Sequence, residues 1–254
     1  MKTNLTFGLA SLILMVLLGC KKENDILPEN ARLKQVLSYD SVNAKEPNGI
    51  LEEYEYNESG QISKVSYDNY GNGFLKYDLY EYNPAGQLIK ITEYNANSSS
   101  PTGYILLITY TYTYSNEGKK IKEFIQYLTG SGYNLFLYTN GRLSRTENHG
   151  WSNPTDQLVT YTLFEYDNSG QSTREVLYAA NNEPYRWTIN TFSNGLMVKT
   201  VIYAAENFEN PDNKVREFKR TFDANKNLKI LETFQGPAST QVGHFVYKYI
   251  NFGE

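Results

Sequence analysis

One cysteine and two histidines are all that this chain of 254 residues has of the strongest metal-binding and nucleophilic side chains. With Cys20 alone, no internal disulfide forms, and no second thiol is left for a Cys-x-x-Cys pair. His149 and His244 are far apart and no Gly-x-Ser-x-Gly elbow or His-Glu-x-x-His spacing exists, which removes the usual signatures of serine hydrolases and zinc proteases. Helical periodicity is missing from residue 32 onward. Long apolar runs are missing too, apart from Leu5 to Leu18 at the N-terminus. That run is too short to span a hydrocarbon layer of ~30 Å as a stable helix, and with Lys2 before it and Gly19-Cys20 after it, it is a secretory signal.

The end of that signal, Leu17-Leu18-Gly19-Cys20, resembles the lipobox of bacterial lipoproteins. The resemblance implies cleavage before Cys20 and acylation of its thiol, hence a membrane partner reached through a lipid anchor, and a location in the bacterial cell envelope, at the outer membrane. Residues 1–19 are then the signal peptide, 20–31 a tether beginning Lys21-Lys22-Glu23-Asn24-Asp25, and 32–254 one domain. Acidic side chains outnumber basic ones by 28 to 24, so nucleic acid is not an expected partner.

What the chain has in abundance is tyrosine, 23 of them, set before turns. Tyr54-Glu-Tyr56-Asn-Glu-Ser-Gly60 recurs as Tyr80-Glu-Tyr82-Asn-Pro-Ala-Gly86, Tyr112-Thr-Tyr114-Ser-Asn-Glu-Gly118, Phe136-Leu-Tyr138-Thr-Asn-Gly141 and Phe164-Glu-Tyr166-Asp-Asn-Ser-Gly170. Phe192-Ser-Asn-Gly195 and Phe222-Asp-Ala-Asn-Lys226 are degenerate copies. The turn anchors lie 26, 32, 23, 29, 25 and 31 residues apart, which suits one hairpin and one connection per repeat. The expectation is an all-β protein: an antiparallel meander of seven repeated hairpins and about fifteen strands, forming a curled sheet or a partly closed barrel. Its exposed edges are expected to be covered by pairing Arg32 to Tyr39 with Gly243 to Phe252.

Hairpin register follows from the turns. With Asn83 and Gln87 closing a three-residue loop, Tyr82 falls opposite Leu88 and Tyr80 opposite Lys90. The same count pairs Tyr54 with Lys64, Tyr112 with Lys122 and Phe164 with Arg174, and the two-residue loop Asn140-Gly141 pairs Phe136 with Arg145. The structural expectation is thus a series of aromatic-to-basic rungs, with Glu55, Glu81 and Glu165 on the opposite face.

The pattern Tyr-x-Tyr-Asn/Asp-x-x-Gly-Gln/Arg-Leu-x-x-basic resembles the YD repeat of the RHS family, over roughly residues 32–254. In that family the repeats build β-sheets that curl into a shell around a toxin. This chain has too few repeats for that and no effector domain, so the resemblance implies architecture and not the shell function.

For chemistry, Asp68-Asn69-Tyr70-Gly71-Asn72-Gly73 lacks the side chains of a calcium loop, and no metal ligand set or cofactor motif appears. Trp151 and its neighbour His149, in a Gly-, Asn- and Pro-containing segment, are the candidate ligand-binding residues, Trp151 first because an indole stacks on a sugar ring or anchors an interface; folding back over the sheet edge is its structural alternative. Trp187, within a strand-like run, suits cross-strand packing. Three functions stay open: a non-catalytic lipid-anchored interaction or structural module, a glycan-binding accessory lipoprotein, and an envelope hydrolase built on carboxylates converging across strands. A transmembrane barrel fits poorly, because Lys and Glu recur along the strands.

Overall fold

The computed structural model describes residues 31–39, 44–68, 74–150, 157–204 and 213–251. The signal peptide, Cys20, nearly all of the tether, and Trp151 lie outside the described residues.

Sixteen strands run in chain order: β1 (Ala31–Tyr39), β2 (Gly49–Tyr56), β3 (Ile62–Asp68), β4 (Phe74–Tyr82), β5 (Leu88–Ala96), β6 (Tyr104–Tyr114), β7 (Lys120–Tyr127) and β8 (Gly130–Thr139). They continue as β9 (Arg142–His149), β10 (Leu158–Tyr166), β11 (Ser172–Ala179), β12 (Pro184–Ser193), β13 (Leu196–Ala204), β14 (Lys214–Phe222), β15 (Leu228–Gln235) and β16 (Thr240–Asn251). Each strand pairs with its sequence neighbours, and β1 pairs with β16, so the meander closes into a barrel with no free edge. The closing ladder runs from Ala31 opposite Asn251 to Tyr39 opposite His244, the pairing expected from the ends of the domain. The sheet is therefore fully closed rather than partly so.

The tight turns form one rim. In Asn83-Pro84-Ala85-Gly86, the Asn83 amide donates to the Gln87 carbonyl at 2.9 Å, and the Asn83 side-chain oxygen accepts from the Gln87 amide at 2.9 Å. Gly86 takes φ +78°, a left-handed conformation that costs glycine nothing, whereas Lys226 holds the equivalent place in the last hairpin at φ +67°. Asn140 (φ 52°) and Gly141 (φ 79°) make the two-residue turn that their sequence specifies. The end of the closing ladder at which Ala31 faces Asn251 also lies at this rim. The other connections make up the opposite rim.

Register departs from expectation in one systematic way. Tyr82 stands opposite Leu88 as counted, but the next pair is Glu81 with Lys90, so Ile89 is an extra residue and Tyr80 falls opposite Ile91. The same bulge recurs at Ser63, Ile121, Ser144 and Thr173. Lys64 therefore faces Glu55, Lys122 faces Thr113, Arg145 faces Leu137 and Arg174 faces Glu165. Tyr54, Tyr112, Phe136 and Phe164 stand opposite Val65, Glu123, Thr146 and Glu175. Each aromatic and its expected basic partner are thus on opposite faces of the wall. One inserted residue flips everything beyond it, since side chains alternate with a period of two.

The basic series instead closes ion pairs on the exterior: Lys64 with Glu55 at 2.8 Å, Lys90 with Glu81 at 2.8 Å and Arg174 with Glu165 at 2.9 Å. These glutamates are 59%, 53% and 54% exposed, so each pair contributes at most about 1 kcal/mol. Cation–ring contacts do occur, but with the following strand: Lys122 lies 4.3 Å from the Tyr133 ring centre, Arg145 4.0 Å from Tyr161 and Arg174 4.3 Å from Trp187. Trp187 packs across strands as its place in the sequence suggests, opposite Val176 and Tyr203.

The bulges also explain the second tyrosine of the repeat. The Tyr82 hydroxyl donates to the Ile62 carbonyl at 2.9 Å, Tyr114 to Leu88 at 2.7 Å, Tyr138 to Lys120 at 2.9 Å and Tyr166 to Leu143 at 2.7 Å. Every acceptor is the residue just before the extra one in the preceding hairpin, where the ladder is interrupted and a carbonyl needs a partner. Each hairpin thereby ties itself to the one before it. Gln61 adds a further tie, its side-chain amide donating to the Gly86 carbonyl at 2.9 Å.

Candidate functional site

The face opposite the exposed glutamates is the lumen. Tyr54, Tyr67, Tyr80, Tyr112 and Tyr247 all belong to it by register, and burial is the first cause raising each of these phenols above its ordinary value. The lining is polar, and its groups answer one another across strands. Tyr54 donates to Glu52, and Tyr67 donates to Asp78 at 2.9 Å. Asn190, 6% exposed, donates to the Ser172 carbonyl and to Glu175, accepts from Thr200, and is linked through Thr200 to Arg220.

Between β7 and β10 the lumen wall opens into a cavity of about 400 Å3, lined by Lys120, Glu123, Asn134, Phe136, Thr146 and Asn148 with Thr160 and Thr162. Its chemistry is a relay. The Asn148 amide donates to the Asn134 oxygen at 2.8 Å, and the Asn134 amide donates to Glu123 at 2.6 Å. Each amide keeps further hydrogen-bonding capacity, and Thr146, Thr160 and Thr162 add hydroxyls that donate or accept. Lys120 Nζ sits 4.1 Å from the Phe136 ring centre and 5.1 Å from that of Tyr112, held by two rings rather than by an acid. An apolar ring, paired amides, a carboxylate and several hydroxyls together suit a ligand rich in hydroxyl groups.

Two carboxyl groups do meet across strands. Asp78 and Glu93 are directly opposed on β4 and β5, and Lys76 reaches Glu93 at 2.7 Å and Asp78 at 3.9 Å. Desolvation raises the Asp78 carboxyl, while the Tyr67 hydroxyl and then Lys76 pull it back down. Asp78 and Glu93 are 7% and 8% exposed, and with Lys76 they form a clasp between the two strands. His149 lies on the exterior wall, its ring stacked on Tyr133 at 4.6 Å and 9° and its Nε2 3.1 Å from Glu147. His244 is elsewhere on the wall, edge-on to Tyr39 and 3.8 Å from Glu232. The sequence motifs did not point to Glu123, Asn134 or Asn148, which come from three strands and share no spacing. Among the described residues, no group of three or more His, Cys, Asp or Glu converges to hold a metal ion.

No family model matches the chain, and no curated protein matches it. Among solved structures it is similar to a porin-like protein from Bacteroides vulgatus, at 10% identity over 86% of this chain and 98% of the other, with a TM-score of 0.38. It is similar to a porin-like protein from Bacteroides uniformis at 8% identity, 86% and 98% coverage and a TM-score of 0.37. The TcdB2-TccC3-TEV structure matches at 12% identity over 85% of this chain but 11% of its own length, with a TM-score of 0.32.

Proposed function

We propose that this is a non-catalytic, lipid-anchored protein of the bacterial envelope that works by binding, with the barrel lumen as its receptor and a neutral carbohydrate as its ligand. The observation that carries the reading is the Glu123–Asn134–Asn148 relay, set in a luminal cavity beside Phe136 and three threonines. Carboxylate and amide groups pair with vicinal hydroxyls, and a ring supplies the apolar contact for a sugar face. The YD-like repeat supplies the wall on this reading.

Anchoring rests on the signal ending at Cys20. Glu147, Glu217 and Glu232 stand in the exterior wall, which supports a hold on lipid through acyl chains rather than through the strands. Mass spectrometry of the mature protein from an envelope fraction is expected to find an acylated Cys20 as the first residue. An unmodified terminus, or a chain still carrying residues 1–19, ends the anchoring reading.

For the ligand, calorimetric titration with maltotriose, cellotriose, xylotriose and mannotriose is expected to give saturable binding of at least one. Removing one amide with Asn134→Ala or Asn148→Ala is expected to weaken that sugar about tenfold, the value of one or two hydrogen bonds left unmade. Binding that survives both substitutions unchanged, or no binding across the panel, defeats the luminal carbohydrate site.

A further inference from the structure

The geometry points to a second site near the rim opposite the tight turns, selective for an amphipathic anion: a carboxylate head held by Arg186 and Arg216 with its alkyl chain on the apolar floor between them. It lies in a different sector of the wall from the carbohydrate cavity and stands on separate observations.

The first is a census of the arginines. The chain has seven, and five are engaged: Arg32 donates to the Gly60 carbonyl at 3.3 Å, Arg142 lies 5.6 Å from the Tyr166 ring centre, Arg145 pairs with Glu147 at 2.8 Å, Arg174 with Glu165 at 2.9 Å, and Arg220 donates to Thr200 at 2.9 Å. Among the described residues, no hydrogen bond, ion pair or ring contact holds Arg186 or Arg216. A guanidinium carries five donors, and each of the other five has at least one such contact.

The second is where these two stand. Arg186 is opposite Ala204, and Arg216 is opposite Ile202, so both flank β13 on the same inward face. Two strand spacings, one on each side of β13, separate them by about 10 Å of backbone, a span that two long side chains close around one anionic head. Together with Ile202, Tyr203, Ala204 and Val215 they line a cavity of about 430 Å3. Tyr185 and Val215, which lie at its edge, are 64% and 44% exposed. Cationic flanks over an apolar floor complement an anion with a hydrocarbon tail and give neither half alone a full set of contacts.

The net charge of −4 makes the pair decisive. The general field of an acidic protein disfavours anions, so affinity for one depends on these two groups and falls with added salt.

The test is calorimetric titration of the full-length mature protein with octanoate, with 1-octanol as the same tail without charge and acetate as the same head without tail. Octanoate is expected to bind saturably and about tenfold or more tighter than either control. Arg186→Gln and Arg216→Gln are each expected to lose about tenfold in octanoate affinity while circular dichroism melts stay unchanged, since both side chains are exposed. Asn134→Ala is expected to leave octanoate binding as it was, which separates this site from the carbohydrate cavity. Equal binding of octanol, full affinity in the two glutamine variants, or the absence of saturable heat overturns the proposal.

Discussion

Above pH 10 the barrel will come apart in one cooperative step, and its luminal phenols will ionise together with that step rather than one by one. Tyr54, Tyr67, Tyr110 and Tyr112 are all raised from the ordinary tyrosine value of 10.0, in each case first by burial, and Tyr110 is pushed up to about 12. Carboxylates add to the effect: Glu52 beside Tyr54, Asp78 beside Tyr67 and Glu123 beside Tyr112 all oppose a second negative charge. Below pH 10 these phenols are neutral in both folded and unfolded chains, and their contribution to stability is intact. As pH rises further, the unfolded chain releases protons that the folded barrel retains, and stability falls until the folded values are reached. Each retained proton costs about 1.4 kcal/mol per pH unit. Halved for partial solvent contact, four such groups remove about 3 kcal/mol per unit, against a usual domain stability of roughly 5–15 kcal/mol. Two units above pH 10 thus remove about 6 kcal/mol, so a barrel of stability near the lower end of that range is expected to unfold near pH 12. Phenolate absorbance and far-ultraviolet circular dichroism followed through one alkaline titration check it. A gradual rise in absorbance with the strand signal intact would show that the tyrosines face open water and that the lumen is not as described.

The expected coincidence of those two signals follows from a repeat that was only half readable in the sequence. Turn chemistry was legible, because Asn83-Pro84-Ala85-Gly86 and Asn140-Gly141 specify their loops locally. The closing pair of strands was legible as well, since a meander of this length has two edges to hide and two strand-like segments at its ends. The bulge after each turn was not, because an inserted residue such as Ile89 leaves the turn itself untouched and acts only through the register beyond it. A signal did exist: Glu55 and Lys64, Glu81 and Lys90, and Glu165 and Arg174 are opposite charges at one constant separation, nine residues, which cross-strand pairing explains and the unbulged count does not. The role of the second tyrosine follows only once the bulge is known, since its acceptor is the carbonyl the bulge leaves over. The luminal cavity had no signal at all. Glu123, Asn134 and Asn148 are ordinary polar strand residues whose convergence is a property of curvature and register.

Ending the chain at Ser239 will produce an aggregate with no cooperative thermal transition, because closure is what leaves this wall without a free edge. Removing β16 takes away two ladders at once, those to β1 and to β15. The two strands left as edges present rows of unpaired amides and carbonyls, which template pairing with another copy. Val36 and Leu37, 4% and 2% exposed, lose the cover of Tyr247 and Val246. Each then forfeits part of the roughly 1.5–3 kcal/mol that full burial of such a side chain contributes, before any loss from the ladders is counted. A permuted chain separates closure from chain length. Since Ala31 stands opposite Asn251 at the hairpin rim, a short linker joins them, and reopening the chain at Leu128-Thr129 leaves all 16 strands and every ladder in place. Size-exclusion chromatography and a thermal melt are expected to give a monomer with one sharp transition for the permuted chain, and large aggregates for the shortened one. A monomeric shortened chain that melts like the intact protein would mean that the β1–β16 seam contributes little and that the wall is stable as an open sheet.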